Sequence, residues 1–331
     1  MSPLRSRRRS YAAGATLAAS ALVLAACGGG DSEGEGGGDG DELTPITVGV
    51  IPIIDVAPLY IGIEEGIFEE HGLDVTAESG QGGAAIVPSV VSGDFDFGFG
   101  NSMSTVIAAS TGMPLQIIAS GVWSTGDPEE DGFTIMSADE SIQGPEDLEG
   151  AVVATNTLNA IGDSVVMESA ELAGVDPTTI EFVEMPFNSM PAAMENGDVD
   201  AAWIVEPFVT VAMEDSGAHV VTAVLLDIAD EWEIATYFTT DTYANDNQET
   251  VEAFQAAISE ANAYAQENPD AVREILQSYL DLPDGLEDRV ILPGWQPEVS
   301  RETVQIYHDM ADERGLLDQE VDLDALLEHA Q

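Results

Sequence analysis

The sequence contains no lysine, and its eight basic residues stand against 62 acidic ones. Half of the basic residues are arginines at the amino terminus, and the other four follow residue 272. Because proteins bind nucleic acids through basic side chains, this deficit argues against a nucleic-acid partner. Acidic surfaces repel themselves, and salt screens the repulsion, with a Debye length of about 3 Å at 1 M. We therefore expect an acidic, halophilic protein.

Cysteine is almost absent too: Cys27 is the only one, so no internal disulfide can form. The apolar stretch before it, residues 11–26, is shorter than the roughly 20 apolar residues of a spanning helix. A basic head, a short apolar run and small residues in L-A-A-C at 24–27 are typical of an export signal.

That segment resembles the lipobox of bacterial lipoproteins, in which the cysteine is acylated and becomes the first mature residue. The resemblance implies a signal peptide over 1–26, lipidation of Cys27 and anchoring at the extracytoplasmic face of the cell membrane. Arg8-Arg9-Ser10-Tyr11 partly matches a twin-arginine signal, so Sec and twin-arginine export both remain open. From Cys27 on, four basic residues stand against 62 acidic ones, a formal charge of −58.

After the cysteine, residues 28–42 read GGGDSEGEGGGDGDE. Glycine and like charges cannot form a packed core, so 27–43 is predicted to be an acidic, flexible tether. Beyond it, β-rich runs alternate with helical patterns, which predicts an α/β fold with mostly parallel sheets. Predicted strands lie at 46–51, 73–77, 94–99, 115–119, 151–155 and 180–184. The region after residue 250 is predicted to be mainly helical, beginning with a helix over 251–265.

The second half of this region repeats the first. H-G-L-D at 71–74 corresponds to A-G-V-D at 173–176, and S-G-D-F-D-F at 92–97 to N-G-D-V-D-A at 196–201. Together with the strands that begin at 46 and 151, these pairs are offset by about 102 to 105 residues. The regular offset predicts two copies of one α/β unit.

Several runs then resemble one family, the solute-binding proteins of nitrate, sulfonate, taurine and thiamine-pyrimidine ABC importers. The resemblance covers nearly all of 44–331. The matching runs are V-G-V-I-P and D-V-A-P-L-Y-I-G within 48–62, G-I-F-E-E-H-G-L-D-V at 66–75, V-S-G-D-F-D-F-G-F-G-N-S at 91–102, D-L-E-G and V-A-T-N-T-L within 147–158, and N-G-D-V-D-A-A-W-I-V-E-P-F at 196–208.

The resemblance implies an α/β, two-lobed, type II periplasmic-binding-protein-like fold, with two central mostly parallel sheets and flanking helices. Two inter-lobe crossovers are expected near Phe133–Ser137 and Ala235–Asp241. The implied organisation is a first lobe over 44–135, a second lobe over 136–238, and a return to the first lobe with C-terminal helices over 239–331.

The implied function is capture of a small solute in the inter-lobe cleft by a monomer that delivers it to an ABC permease and its ATPase. The alternatives are a sensory or surface binding protein of the same fold, or a thiamine-pyrimidine-related enzyme. The enzymes of that kind use a cysteine-rich motif that this chain lacks. The four histidines show no H-E-x-x-H spacing and no G-x-S-x-G elbow occurs, so no catalytic residue, metal or cofactor is predicted.

Ligand contacts are expected on loops that follow strands and precede helices, because such loops meet at the cleft. The candidate ligand-binding residues are Asp55, Pro58, Asn101, Ser102, Trp123, Asn156, Thr157, Asn159 and Glu206. Three of them carry a structural alternative: Asp55 and Ser102 could be helix caps, and Glu206 could brace the hinge. Trp203, in an apolar strand, is expected in the core.

The solute itself is left open by the sequence. All four mature arginines lie in the C-terminal tail, and nothing basic except histidine lies between residues 10 and 272. A sulfonate or nitrate would be held by neutral donors and helix N-termini alone, so a neutral or heteroaromatic ligand fits equally well. The hypothesis is that no ion pair fixes the ligand.

Overall fold

The computed structural model describes residues 43–330, which belong to one compact unit. The predicted signal peptide, Cys27 and all but the end of the tether lie outside the described residues. Ten strands are present in this part of the chain. They are β1 (Thr44–Val50), β2 (Leu73–Ser79), β3 (Phe97–Asn101), β4 (Leu115–Trp123), β5 (Phe133–Ser137), β6 (Val152–Thr155), β7 (Glu181–Glu184), β8 (Ala201–Val205), β9 (His219–Thr222) and β10 (Glu233–Thr240).

Helices fill most of the connections between these strands and the C-terminal region. They are α1 (Ala57–Glu64), α2 (Ile67–Glu70), α3 (Gly83–Ser92), α4 (Ser102–Ser110), α5 (Ile161–Leu172), α6 (Met190–Asn196), α7 (Phe208–Asp215), α8 (Asp241–Asp246), α9 (Gln248–Glu267), α10 (Pro269–Tyr279), α11 (Arg301–Glu313) and α12 (Leu323–Leu326). Across residues 43–330, no helix combines the length and the apolar character needed to cross a membrane.

The strands form two five-stranded sheets of identical topology. The first has the order β2-β1-β3-β10-β4 and the second the order β7-β6-β8-β5-β9. In each sheet, one strand, β10 or β5, runs antiparallel to both of its neighbours, and the remaining pairs are parallel. The α/β class, the mostly parallel sheets and the predicted internal repeat are confirmed.

The repeated G-D-x-D motif has the same structural role in both halves. Gly93 and Gly197 end α3 and α6 with φ of 80° and 70°, the left-handed conformation that favours glycine. The second aspartate of each motif then binds the neighbouring strand: Asp96 Oδ2 accepts Thr47 N–H at 2.7 Å, and Asp200 Oδ2 accepts Val152 N–H at 2.7 Å. The motif therefore ends a helix and aligns two parallel strands.

The expected positions of the crossovers were wrong. Phe133–Ser137 is strand β5 of the second sheet, and most of Ala235–Asp241 lies in strand β10 of the first sheet. The chain changes sheets in the segments before these strands, at 124–132 and 223–232. Both strands are buried because each inserts between two other strands, a pairing that local sequence does not encode.

The C-terminal helices cover the first sheet. Helix α9, which confirms the helix predicted at 251–265, packs against α1, α2 and β4. Its Gln255 and Asn262 donate side-chain hydrogen bonds to the carbonyls of Ile118 and Ser120 in β4, at 2.7 and 3.1 Å. Phe254 stacks on Phe97 of β3 with 4.3 Å between ring centroids. This packing fixes the first sheet as a rigid support for the loops at its strand ends.

Candidate functional site

A cavity lies between the two sheets, where strands of both halves end. Its walls are formed by residues that follow β1 and β6, by the ends of β3 and β8, and by the starts of β5, β10 and α5. It is lined by Ile51, Ile53, Asp55, Phe99, Asn101, Phe133, Asn156, Ile161, Phe187, Trp203, Val205, Ile234 and Ala235. The carboxyl ends of parallel strands are the preferred ligand position in open α/β sheets.

The space at the centre of the cavity is small, about 30 Å³. A second space of about 110 Å³ shares Ile51, Ile53 and Phe187 with it, so the two spaces are adjacent. Its further lining residues are Pro52, Gly80, Gln81, Pro186, Asn188 and Phe208. The space lined by residues of both sheets is therefore the smaller of the two.

Asp55 occupies a short 3-10 turn, Ile54–Val56, between β1 and α1. The expectation that Asp55 caps a helix was wrong, because neither the turn nor α1 has a side-chain cap. Its side chain is 3% exposed, lines the cavity, and leaves Oδ1 without a hydrogen-bond partner among the described residues. Burial, reinforced by the nearby Asp131, raises the pKa of Asp55 to about 8.

Two hydrogen bonds from the C-terminal region stabilise the turn that carries Asp55. Trp295 Nε1 donates a hydrogen bond to the Asp55 carbonyl at 3.0 Å, and the Tyr279 hydroxyl donates to the Ile53 carbonyl at 3.2 Å. Both donors lie more than 200 residues away in sequence. The backbone of this turn is thus fixed, and the carboxyl group projects from a rigid support.

Asn101 lines the cavity and also caps α4, since its Oδ1 accepts the Ser104 N–H at 2.8 Å. Ser102, the other candidate of this loop, is the first residue of α4 and is not its cap. It is buried beside Thr236, with 3.2 Å between the two hydroxyl oxygens, and it is not among the lining residues. Of the two candidates on this loop, only Asn101 lines the cavity.

In the second half, the candidate residues of the 156–159 loop differ in whether they line the cavity. Asn156 lines the cavity, and Thr157 lies against Gly82 of the first half, where an added Cβ would come within 2.8 Å of Thr157 Oγ1. Asn159 is exposed, has a φ of 54°, and donates its backbone N–H to Asp163 Oδ2 at 2.6 Å. The loop is therefore braced by Asp163, and only its first residues face the opposite half.

Three further candidates lie outside the cavity lining. Pro58 is buried in the first turn of α1. Trp123 ends β4, where its Nε1 donates to Ser120 Oγ at 2.9 Å. Glu206 accepts hydrogen bonds from Thr210 Oγ1 at 2.7 Å and from the Ile291 backbone N–H at 3.0 Å, and burial raises its pKa. Glu206 thus connects the end of β8 to the C-terminal region.

Sequence reasoning missed the aromatic residues of the site. Phe99, Phe133, Phe187 and Trp203 all line the cavity. Trp203 is buried as expected, at 1% exposure, but its Nε1 has no hydrogen-bond partner in the part of the chain that the structure describes. Phe133 starts β5 and Phe187 follows β7, positions where a cavity contact could have been expected, but Phe99 and Trp203 are the central residues of β3 and β8 and look like core residues in the sequence.

No basic side chain of residues 43–330 lines the cavity. The arginines bond elsewhere: Arg273 donates to the carbonyls of Glu287 and Val290, and the other three pair with carboxylates. These pairs are Arg289–Glu214, Arg301–Asp324 and Arg314–Glu168. Over the same residues, no group of three or more potential metal ligands comes together. An anion in this cavity would meet no cation.

Two sheets of one topology, exchanging one strand each and enclosing a cavity at their strand ends, define the fold of the periplasmic binding proteins. The chain belongs to the NMT1/THI5 like family, whose sequence model matches residues 53–272. It is 27% identical over 209 residues to the taurine-binding periplasmic protein of Escherichia coli, a match that covers 61% of each chain.

Solved structures show the same fold. The alkanesulfonate-binding protein SsuA of Xanthomonas axonopodis pv. citri, bound to MOPS, superposes with a TM-score of 0.68 at 16% identity, covering 83% of this chain and 95% of that one. The nitrate-binding protein NrtA of Synechocystis PCC 6803 also gives 0.68, at 15% identity, covering 87% and 86%. These likenesses confirm the two-lobed, type II fold predicted from the sequence.

Proposed function

We propose that this protein is an extracytoplasmic solute-binding protein of an ABC importer, which captures a small solute between its two halves and delivers it to a permease. The observation that carries the proposal is the cavity whose walls come from both sheets. A ligand in such a cavity contacts both halves at once, so binding favours the closed arrangement. The names of the relatives, binding proteins for taurine, alkanesulfonate and nitrate, support the same role.

The proposed domain boundaries follow from the exchange of strands. The first lobe comprises 44–123 together with the region from 233 on, and the second lobe comprises 133–222, with hinges at 124–132 and 223–232. Asp131 lies in the first hinge, where Oδ2 accepts the Thr125 N–H at 2.9 Å and Oδ1 accepts the Phe133 N–H at 2.9 Å. These bonds give the hinge a defined conformation.

Anchoring through a lipid on Cys27 completes the proposed role, because a tethered receptor stays close to its permease. The support is the L-A-A-C sequence with its basic, apolar leader. Detergent partitioning of the mature protein and mass spectrometry of its amino-terminal peptide test this part. A diacylated Cys27 is the expected result, and a Cys27→Ser variant that still fractionates with membranes would contradict it.

Binding is tested by a thermal-shift panel in molar sodium chloride, with taurine, alkanesulfonates, nitrate, pyrimidines and amines. A ligand at 100 times its dissociation constant stabilises the protein by about 2.7 kcal/mol. Asn156→Ala, which removes a polar group from the cavity, should reduce the shift. Asn245→Ala, an exposed change on α8, should leave the shift unchanged. If no compound raises the melting temperature, the proposed function is wrong.

A further inference from the structure

We propose, on the basis of the proposed function, that the solute is a small amine. Its protonated amino or amidinium group donates a hydrogen bond to Asp55 Oδ1, and an acceptor on the same molecule faces Trp203 Nε1. Nitrate, sulfate and alkanesulfonates without an amino group are then not the solutes of this protein.

The first argument is the hydrogen bonding of the cavity. Asp55 Oδ1 and Trp203 Nε1 are both buried polar atoms without a partner among residues 43–330, and both residues line the same cavity. Buried polar groups in proteins are almost always hydrogen-bonded, so each exception requires an explanation. One atom is an acceptor and the other a donor; Asp55 lies on the turn that follows β1 of the first sheet, and Trp203 lies in β8 of the second sheet. A single ligand with a donor and an acceptor satisfies both.

The second argument is the chemistry of the remaining walls. Ten of the thirteen lining residues are apolar, and Phe99, Phe133, Phe187 and Trp203 supply aromatic rings. Aromatic faces attract cations and offer nothing comparable to an anion. The charged side chain among the lining residues is Asp55, a carboxyl group. The carboxyl group, which becomes negative when it loses its proton, and the aromatic rings thus both favour a cationic ligand.

Proton balance follows from the surroundings of Asp55. The titratable groups that interact with it are Asp131 in the first hinge, Tyr237 on β10 and Tyr279 on α10; Tyr60 on α1 stacks on Tyr279. Burial raises the pKa values of these tyrosines, so near neutral pH they remain uncharged. Asp55 itself, with a pKa of about 8, is largely protonated at pH 7 without ligand. When an ammonium group binds, the Asp55 O–H bond breaks, its proton passes to solvent, and a carboxylate–ammonium pair forms.

The test is isothermal titration calorimetry in molar sodium chloride with matched probes that differ in one nitrogen. The pairs are taurine and isethionate, benzylamine and benzyl alcohol, and 4-amino-5-hydroxymethyl-2-methylpyrimidine and its 4-hydroxy analogue. Nitrate and ethanesulfonate complete the set as anions without a donor. We expect at least one amino compound to bind at least about 100-fold more tightly than its partner, because the partner cannot form a charged pair with Asp55.

Two variants test whether Asp55 causes this difference in affinity. Asp55→Asn should lose about 100-fold in affinity for the amine that binds the native protein. Glu233→Gln is the matched control: Glu233 is a buried carboxyl group of the same sheet, with an unpartnered Oε1 and a pKa raised to about 8, but it does not line the cavity. Melting temperatures and near-UV circular dichroism of both variants confirm folding. For taurine and benzylamine, which are ammonium ions in solution, titrations of the native protein at pH 7 in two buffers of different ionisation enthalpy should show release of close to one proton; the aminopyrimidine, which is mostly neutral in solution, accepts the Asp55 proton instead, and little is released.

Each other outcome overturns a defined part of the proposal. Binding of nitrate, ethanesulfonate or isethionate as tightly as the amines would refute the amine, while the solute-binding function would stand. Native affinity of the amine for a folded Asp55→Asn variant, or binding of an ammonium compound to the native protein without proton release, would refute the assignment to Asp55. If no probe binds the native protein, both the amine and the proposed function are rejected.

Discussion

The two halves of the molecule share their scaffold but not their contribution to the cleft. In both, a G-D-x-D motif ends a helix with a left-handed glycine and fixes two parallel strands through its second aspartate. The loops above these strands differ. The first half presents an acidic group, Asp55, on a turn held from behind, and the second half presents the indole N–H of Trp203 and the amide of Asn156.

This difference shows which residues the duplication preserves. Residues that hold strands together must keep their chemistry in both copies, because each sheet needs the same bonds. Residues that face the cleft contact different parts of one asymmetric solute, so their chemistry differs between the copies. A repeat in the sequence therefore reveals the scaffold, and the departures from the repeat point to the site.

The largest expected effect is a loss of stability with rising pH, caused by two buried carboxyl groups around the first sheet. Asp55 and Glu233, both buried around the first sheet, have folded-state pKa values raised from 3.8 and 4.5 to about 8. The folded state therefore keeps protons that the unfolded state loses above about pH 4. Their contribution to stability is complete below that pH and is lost as the pH rises towards 8. Each unit of difference in pKa corresponds to about 1.4 kcal/mol.

Denaturant unfolding in molar salt at about pH 5 and about pH 8 should thus give a free energy of unfolding several kcal/mol lower at the higher pH. Asp55→Asn should remove a large part of this decrease and be the more stable protein at about pH 8. Asp74→Asn changes the charge equally at an exposed position of β2 and is the control. An equal effect of the two substitutions would show that net charge, rather than burial of Asp55, sets the pH dependence.

The next effect tests the equivalence of the two motifs. Asp96→Ala and Asp200→Ala each remove a carboxylate that accepts a hydrogen bond from a strand N–H, which should cost about 1.5–3 kcal/mol in the free energy of unfolding. The controls are Asp94→Ala and Asp198→Ala, at the exposed first aspartate of each motif, where little change is expected. A loss confined to one half would mean that the motif supports only one sheet.

Local sequence predicted these shared features well. The alternating phenylalanines indicated β3, glycine and aspartate spacing indicated the helix ends, and the order of motifs indicated the fold. Local sequence did not predict the features that depend on contacts between distant segments of the chain. Strands β5 and β10 look like ordinary apolar strands, but their insertion into a sheet depends on partners far along the chain. Asp55 precedes Val-Ala-Pro in the sequence, as a helix-capping residue would. In the structure it lies within a 3-10 turn, and Trp295 and Tyr279 donate hydrogen bonds to backbone carbonyls at this turn.

A smaller effect concerns the start of α5, beside the cleft. A Cβ on Gly162 would lie 2.1 Å from Thr155 Oγ1 and 2.5 Å from Trp203 Cδ1, so Gly162→Ala must displace the indole. Overpacking typically costs about 1–3 kcal/mol, and the better helix propensity of alanine returns about 1 kcal/mol. We expect a net loss of stability and a changed tryptophan emission. Ser164→Ala in the same helix is the control; similar emission spectra for both would contradict the close packing of Trp203.

The smallest effect concerns the loop that carries Asn156. Asn159 is the only non-glycine residue of 43–330 with a positive φ, at 54°, and the corresponding loop of the first half has none. Alanine tolerates this conformation poorly, so Asn159→Ala should cost about 1–2 kcal/mol in the free energy of unfolding, whereas Asn159→Gly should cost much less. Because the Asn159 side chain is outside the cavity lining, affinity for the solute should change only through displacement of Asn156. Calorimetry on both variants separates these roles. If Asn159→Gly keeps its stability but loses affinity, the Asn159 side chain contacts the solute. The assignment of loop conformation to Asn159 and of ligand contact to Asn156 would then be wrong.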